Sequence, residues 1–451
     1  MTGEGLRALF KTTLDPGLIR ELVDEYGVQH RDRKLFVVEL VIALILTGGT
    51  HEGGRQYDVM RTYLENTSTK VERSAFYSWF NDPLERLLTV LLARAIEAGQ
   101  RQTKLLPGIL SGVTDWRIID ATTVRLRGEL FDVYPGAGDY AALKIHKEWS
   151  VGTGNLCAYK ITPAREHDSP HLVVDEARRG SGIIADLAYV SLKRLDDCER
   201  HDVRYVVRLK KNWKPTIDRL VRGAGFPEMA AGGDFDALLE DDVILLGGGH
   251  AIDADVTLGR GALRVKSRLV GIATPKGYCF FLTNLPRRTH GPNQVGDIYR
   301  VRWEIEIDNK VDKAGARLDE IEARKPVSVR ILLLASMLNA TLAKTIIQSE
   351  SVAIVAEKKS PADPAGRGPL HPISLIRLMA SAQPTVIRLL LSEEEELFEW
   401  IRLMARFRNY AADTSWRRRP SVLDIIQGLT APMLMPAAKK PPTKKTGPRT
   451  S

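Results

Sequence analysis

The chain has 451 residues, of which 44% are hydrophobic and 27% are charged, and its formal net charge is +9. This length is enough for two to four domains with hydrophobic cores, and the composition excludes a fibrous or wholly disordered chain. Its three scattered cysteines include no Cys-x2-Cys pair, so they indicate neither a disulfide framework nor a zinc site. The basic balance suits a polyanionic partner.

No segment predicts a membrane span or a signal peptide. The longest apolar run, from Leu35 to Thr47, is interrupted by Glu39 and is too short to cross a bilayer. The first nine residues lack the apolar core of a secretory signal. We therefore expect a cytoplasmic protein.

The first hundred residues have apolar side chains at helical spacing, which predicts helices over residues 17–26, 33–46, 57–64 and 83–98. Residues 71–80 (VERSAFYSWF) add a short basic and aromatic helix with two interpretations. In the first interpretation it is the second helix of a helix-turn-helix, and the side chains of Arg73, Ser74 and Tyr77 contact DNA. In the second it belongs to a plain bundle, and it buries Phe76, Trp79 and Phe80.

From Trp116 onward the pattern changes to that of β-strands. Residues 117–126 (RIIDATTVRL), 143–151 and 156–162 predict three antiparallel strands. A buried strand over residues 183–185, a helix over 192–199 and a strand over 204–209 continue an α/β alternation. This order predicts an α/β fold with an RNase H-like sheet and flanking helices.

Two of these strands carry an unexpected carboxylate. Asp120 lies in the middle of the first strand, and Asp186 ends the buried strand. A buried aspartate in a strand is rare unless it is paired or holds a metal ion. Carboxylates on two strands, joined by a third from a later helix, can converge on two divalent cations for in-line attack on a phosphodiester.

The third carboxylate lies in residues 297–318 (DIYRVRWEIEIDNKVDKAGARL), which contain no proline and predict a single helix. At about 100° per residue, four polar side chains of one face fall within roughly 60° of one another: Tyr299, Arg302, Glu306 and Lys313. Trp303 and Lys310 flank that face. A carboxylate among cations suits a divalent metal beside a polyanion, although an ordinary solvated helix face carries similar charges.

The spacing Tyr-x2-Arg-x3-Glu-x6-Lys of these residues resembles the signature of bacterial insertion-sequence transposases with a DDE triad. The group is named for its Tyr-Arg-Glu-Lys motif and is family four of the insertion sequences. The stretches IDATTVRL, LKIH, AREHDS and ADLAY, which surround the two aspartates, resemble the same family. The resemblance covers roughly residues 116–318.

The resemblance implies a cut-and-paste DNA transposase in which Asp120, Asp186 and Glu306 hold two Mg²⁺ ions, with Mn²⁺ as a substitute. Its partners would be the terminal inverted repeats of the element and target DNA, bound by a homodimer and without a membrane. The expected DNA-binding residues are Tyr299, Arg302, Lys313, Lys310, Arg208 and Trp303. Two alternatives are an RNase H-like nuclease without strand transfer and a catalytically inactive DNA-binding derivative.

The predicted organisation has four parts. Residues 1–105 form a helical region that is a candidate for binding the DNA ends. Residues 106–325 form the RNase H-like catalytic domain, which contains a β-rich insertion at 211–286. Residues 326–437 form a helical region with a candidate role in dimerisation, and residues 438–451 form a disordered basic tail.

The insertion departs from the family at one place. In some relatives its last strand supplies a tryptophan that captures a flipped base during hairpin formation. Here the matching run YCFFLTNLP has Cys279 at that place. Tyr278 and Trp213 are either substitutes by stacking or ordinary core or loop aromatics, and the hairpin route stays open.

Overall fold

The structure is a computed structural model that describes residues 3–28, 36–47, 55–210, 212–222, 233–234, 251–261, 263–274, 277–319, 321–357 and 421–428. The expected basic tail at 438–451 lies outside these residues, as do residues 358–420 of the expected helical region at 326–437.

Six helices of the described chain precede the sheet: α1 (Gly3–Leu14), α2 (Pro16–Tyr26), α3 (Val37–Thr47), α4 (Gln56–Thr67), α5 (Arg73–Ser78) and α6 (Asp82–Gln100). The side chains of Asp15 and Asn81 cap α2 and α6 by accepting a backbone N–H, and a proline stands in the first turn of each helix. Every residue of α3 from Leu40 to Thr47 is buried, so the longest apolar run of the sequence is a core helix.

The short helix α5 and the two residues after it bury the aromatic side chains that the bundle interpretation assigned to the core, Phe76, Trp79 and Phe80. On its exposed side, the guanidinium of Arg73 lies 5.1 Å from the ring centre of Tyr77, and Arg73 Nε donates to the Tyr77 hydroxyl at 3.1 Å. A DNA contact by this exposed side stays a prediction.

Ten strands of the described chain form one mixed sheet: β1 (Trp116–Arg125), β2 (Ala142–Ser150), β3 (Leu156–Pro163), β4 (Gly182–Ala185), β5 (Arg204–Arg208), β6 (Thr216–Arg222), β7 (Gly233–Asp234), β8 (Ile252–Arg260), β9 (Leu263–Thr274) and β10 (Gly277–Thr283). Their order is β3-β2-β1-β4-β5-β10-β9-β8-β6-β7. Strand β2 runs antiparallel to β1 and β3, whereas β4 runs parallel to β1 and β5. A helix, α7 (Leu192–Arg200), connects β4 and β5.

The strands between residues 216 and 283 extend this sheet outward from β5 and do not enter between the first five strands. Strand β10 pairs with both β5 and β9 in antiparallel register. Strand β6 was not predicted, because its sequence, TIDRLVR, alternates too weakly in polarity.

The sheet has two faces with separate hydrophobic clusters. We call the face that carries Ile118 and Ile184 the front face, and both side chains lie in one buried cluster there. The adjacent residues Ile119 and Ala185 belong to a second cluster on the opposite face. Side-chain alternation along the strands therefore determines which residues can meet on the front face.

Two helices occupy the segment that was predicted as one helix over residues 297–318: α8 (Pro292–Arg300) and α9 (Trp303–Ala314). The prediction of an unbroken helix is wrong. The N–H groups of Arg302, Glu304 and Ile305 each donate to the carbonyl three residues earlier, which tightens the chain between the two helices. Val301, fully buried in the front-face cluster, anchors this junction.

Within the described residues, two helices follow, α10 (Pro326–Glu357) and α11 (Val422–Ile426). Among the described helices, only Pro326–Ser349 of α10 is long and apolar enough to cross a membrane, and 83% of its most apolar window is buried inside the protein. Such burial is the setting of a core helix, and α10 packs against α3, α6 and α9.

Candidate active site

Asp120 and Asp186 lie side by side on the front face. The parallel register pairs Ile119 of β1 with Ala185 of β4, and the two aspartates are the next residue on each strand. Each follows a front-face residue by two positions, so both side chains point to that face. Asp120 is still within β1, whereas Asp186 comes directly after β4.

Helix α9 lies over this pair. The side-chain amide of Asn309 donates from Nδ2 to Oδ2 of Asp120 at 3.2 Å. Glu306 precedes Asn309 by three residues, which places the two side chains about 60° apart around the helix. The predicted third carboxylate therefore lies on the side of α9 next to the two aspartates.

The electrostatics of Asp120 reflect this grouping. Burial raises the pKa of Asp120 to about 6, and the negative charges of Asp186 and Glu306 act in the same direction. The positive charge of Arg302 and a backbone N–H oppose the rise. Asp120 is partly buried and close to two other carboxylates, so a bound cation would stabilise its ionised form.

Arg302 connects the acids to the aromatic residues of the junction. Its Nη2 donates to Oε1 of Glu306 at 2.5 Å, and its guanidinium lies 6.0 Å from the ring centre of Tyr299 and 5.9 Å from that of Trp303. The Trp303 side chain is 54% exposed. Because Arg302 sits between the helices, it reaches Glu306 one turn into α9.

The other cations predicted to bind DNA, Lys313, Lys310 and Arg208, do not lie together on one face of a single helix. Lys313 Nζ donates to the carbonyl of Thr123 on β1 at 3.2 Å, and Lys310 is exposed. Arg208 ends β5, is exposed, and lies close enough to Tyr299 to lower the pKa of its phenol. Burial is the larger influence and raises the pKa of Tyr299 to about 12.

The donor set fits a hard divalent cation. Asp120, Asp186 and Glu306 supply carboxylate oxygens, and Oδ1 of Asn309 is buried without a hydrogen-bond partner. Carboxylate and amide oxygens are the ligands that Mg²⁺ and Mn²⁺ prefer. Nevertheless, no three His, Cys, Asp or Glu side chains in the described chain are already gathered closely enough to hold a metal ion. In this structure Glu306 is paired with Arg302.

Reasoning from the sequence missed two residues, Asn309 and Lys147. Asn309 was detectable, since it follows Glu306 by one helical turn. Lys147 is the cross-strand partner of Asp120 on β2, which only the strand register reveals. Its ammonium bonds to Asp308 and Asp312 of α9, and these carboxylates outweigh the effect of burial and raise the pKa of Lys147.

The expected substitutes for the family's base-capturing tryptophan lie on the wrong side of the sheet. Cys279 packs against the front-face cluster and is close enough to Tyr299 to influence its pKa. Tyr278 and Trp213 instead pack against the cluster of the opposite face. Their positions favour the second interpretation, ordinary aromatics packed against a hydrophobic core.

Comparison with known proteins decides the family. Residues 112–342, more than half of the chain, match the family model described as the transposase DDE domain. The chain belongs to this family. It is 23% identical over 386 residues to the transposase for insertion sequence element IS231F of Bacillus thuringiensis subsp. israelensis, covering 77% of this chain and 80% of that relative.

A second relative is the transposase for insertion sequence element IS231E of Bacillus thuringiensis subsp. finitimus, at 24% identity over 348 residues, 67% of this chain and 71% of that protein. The cryo-EM structure of the piggyBac transposase synaptic complex with hairpin DNA aligns over 91% of this chain and 86% of its own, with a TM-score of 0.45 and 13% identity. As an insertion-sequence DDE transposase, the protein is an enzyme that acts on DNA with divalent metal ions, as a nuclease and polynucleotidyl transferase.

Proposed function

We propose that this DDE transposase performs cut-and-paste transposition of an insertion sequence of the Tyr-Arg-Glu-Lys group, family four. It would cut at the terminal inverted repeats and join the freed ends to target DNA. One observation carries the proposal: Asp120 and Asp186 are neighbours on parallel strands, and the helix with Glu306 lies over them. The charges of Asp186 and Glu306 both raise the pKa of Asp120.

The three carboxylates and Oδ1 of Asn309 would hold two Mg²⁺ ions, or Mn²⁺ in their place. When bound, the ions lower the pKa of the attacking water or 3′-hydroxyl and stabilise the leaving oxygen. With a pKa of about 6, the side chain of Asp120 is ionised at neutral pH and able to act as a ligand.

The cations near the triad would bind the DNA backbone. Arg302 balances the charge of Glu306 and can exchange this carboxylate for a DNA phosphate, which frees Glu306 to face the aspartates. Lys313, placed along β1 beyond Asp120, would hold a neighbouring phosphate. The further DNA-binding candidates are Tyr299, Lys310, Arg208 and Trp303.

The parts of the chain would divide the work as the sequence predicts. The strand order β3-β2-β1-β4-β5 supports an RNase H-like core within residues 106–325, to which residues 211–286 add an insertion. Residues 1–105 would bind the DNA ends, 326–437 would join two copies in the active complex, and 438–451 would add a basic tail. The enzyme would work in the bacterial cytoplasm on chromosomal DNA.

The test is Glu306→Gln, which removes one charge and keeps the side chain's size. Cutting of a terminal-repeat duplex with Mg²⁺ should fall roughly a thousandfold, or about 4 kcal/mol in the barrier. Affinity for the same duplex in EDTA should be unchanged or slightly raised, because the variant removes a negative charge near the phosphates.

Glu304→Gln, on the same helix, is the matched control and should cut at the parental rate. If Glu306→Gln also cuts at the parental rate, the assignment of α9 to the catalytic site is wrong. Marked DNA ends offered to a target plasmid then test strand transfer. A parental enzyme that cuts but yields no joined product would instead be a nuclease.

A further inference from the structure

Four charged side chains meet out of solvent between α9, the sheet and α10. We call them the buried quartet: Lys147 of β2, Asp308 and Asp312 of α9, and Lys344 of α10. Lys147 Nζ donates to Asp308 Oδ2 at 2.7 Å and also to Asp312, while Lys344 Nζ lies 2.5 Å from Oδ1 of each aspartate. The most exposed of these side chains, Lys344, is 7% exposed.

The quartet is electrically neutral, with two ammonium groups and two carboxylates. Each ammonium bonds to both carboxylates, so removal of one member leaves an uncompensated charge in the interior. A buried, uncompensated ion is strongly unfavourable. The four groups are therefore held in one arrangement, and this arrangement ties α9 to two other elements.

The quartet adjoins the catalytic acids through the strand register. Lys147 is directly opposite Asp120 on the antiparallel strands β1 and β2. Directly opposed side chains share a face of the sheet, with Cβ atoms about 5 Å apart. Helix α9 thus contacts Asp120 through Asn309, and contacts the neighbour of Asp120 through Asp308 and Asp312.

The order of these contacts around α9 determines where Glu306 points. At about 100° per residue, Asn309 lies roughly 80° from the mean direction of Asp308 and Asp312, and Glu306 lies roughly 60° further in the same sense. A rotation of α9 that moved Glu306 away from Asp120 would therefore pull both aspartates from the lysines. The quartet opposes such a rotation.

We propose that the buried quartet fixes the rotation of α9 so that Glu306 and Asn309 face Asp120, which makes Lys147 and Lys344 positioning residues of the transposase reaction. This inference rests on the proposed catalytic role of Glu306. Neither lysine contacts DNA or metal in this role; each acts through the helix that it holds.

The first variant is Lys147→Met, which leaves two carboxylates with one ammonium. Cutting should fall about a hundredfold, the effect of a ~1 Å misplacement of a catalytic group. The Mg²⁺ concentration for half-maximal cutting should rise about tenfold, as when a ligand loses its supporting partner. Affinity for the terminal-repeat duplex in EDTA should stay parental.

A second variant restores the charge balance. Lys147→Met combined with Asp308→Asn leaves the pair Asp312 and Lys344, and should recover most of the cutting rate and the parental Mg²⁺ requirement. In metal-free protein, hydrogen exchange of residues 303–314 should be faster in the single variant and return toward the parental rate in the double variant. A general loss of stability would not show this rescue.

Glu148→Gln is the control for the loss of a partly buried, paired charge next to Lys147. Glu148 points to the opposite face and bonds to Arg178 at 2.8 and 2.5 Å. This variant should melt at a lower temperature but keep the parental Mg²⁺ requirement. If Lys147→Met does not fold, Lys147→Arg, which keeps the charge and changes the shape, must show the raised requirement.

The inference is overturned if the Lys147 variant keeps the parental rate and Mg²⁺ requirement, or if the double variant is no better than the single one. Glu306→Gln, measured alongside, separates the positioning role of the quartet from the catalytic role of Glu306 on which it rests. Parental cutting by Glu306→Gln removes the proposed catalytic role itself. An inactive Glu306→Gln together with a parental Lys147 variant removes only the positioning role.

Discussion

Each half of the sheet carries an aspartate away from bulk solvent, fully buried at Asp253 and partly buried at Asp120, and the two have opposite surroundings. Asp253 of β8 accepts from Arg268 at 3.0 and 2.7 Å and from Arg287 at 2.8 Å. Asp120 of β1 accepts from a neutral amide, that of Asn309, at 3.2 Å. A bidentate arginine satisfies a buried carboxylate, whereas crowding by other acids leaves its charge unfavourable.

The two surroundings distinguish a structural acid, Asp253, from the proposed catalytic acid, Asp120. Arg268, besides binding Asp253, donates to the carbonyls of Leu285 and His290 in the loop before α8. Its ion pair is thus complete and holds the fold. The charge of Asp120 is balanced incompletely in the protein alone, which is the condition for binding a cation.

The largest expected difference is between Asp120→Asn and Asp253→Asn. The first should reduce cutting roughly a thousandfold, because it removes a metal ligand. The second should leave cutting per folded molecule near the parental value but reduce the free energy of unfolding by about 3–5 kcal/mol, because it leaves the arginines uncompensated. Denaturant titration and cleavage assays of both variants measure this. Equal effects on both quantities would contradict the distinction between the two acids.

A smaller effect concerns the pH dependence of stability. Without metal, the folded pKa of Asp120, about 6, lies above its ordinary value of 3.8. The folded protein therefore binds the extra proton between these values, and this group's contribution to stability increases as the pH falls through 6 and is lost above it. In EDTA at pH 7.5, Asp120→Asn should thus be more stable than the parent, by up to about 1.4 kcal/mol for each pH unit between the two pKa values.

The stability difference should shrink toward pH 4.5, and melting temperatures of parent and variant across this range measure it. At pH 7.5, Mg²⁺ should raise the melting temperature of the parent and have little effect on Asp120→Asn, because ligand binding stabilises only the protein that binds it. A variant that is less stable than the parent at every pH would show that Asp120 is structural, as Asp253 is.

The first five strands were predictable because apolar and β-branched residues follow the period of a strand around Asp120 and before Asp186. The break between α8 and α9 was not, since the apolar pattern continues through Val301 and the tightened bonds depend on tertiary packing. The quartet was equally hidden. Asp308 and Asp312 lie outside the helix face that carries Tyr299, Arg302, Glu306 and Lys313. Lys147 is 161 residues from Asp308 in the sequence.

The sequence does not distinguish a charged helix residue that faces water from one that faces a buried lysine. Contacts between residues that are distant in the sequence can therefore be recognised only once the strand register is known. For the same reason, Lys147 could be recognised only from its register opposite Asp120. By contrast, the face that carries Tyr299, Arg302, Glu306 and Lys313 is formed by residues close together in the sequence. Its grouping of Arg302 with Glu306 was therefore predictable from their spacing alone.

The smallest expected effect separates binding from chemistry on that face. Arg302→Ala and Lys313→Ala should each weaken binding to the terminal repeats and flatten the slope of log affinity against log salt by about one unit, because each removes one phosphate contact. Affinities measured in EDTA across a salt series give the slopes.

Arg300→Ala is the control, since Arg300 is exposed at the end of α8 and pairs with Asp297, and its slope should be parental. A solvated surface charge would change stability by only about 0.5 kcal/mol and leave binding unaffected. Parental slopes for both Arg302→Ala and Lys313→Ala would mean that this face does not bind DNA, even if Glu306 proves catalytic.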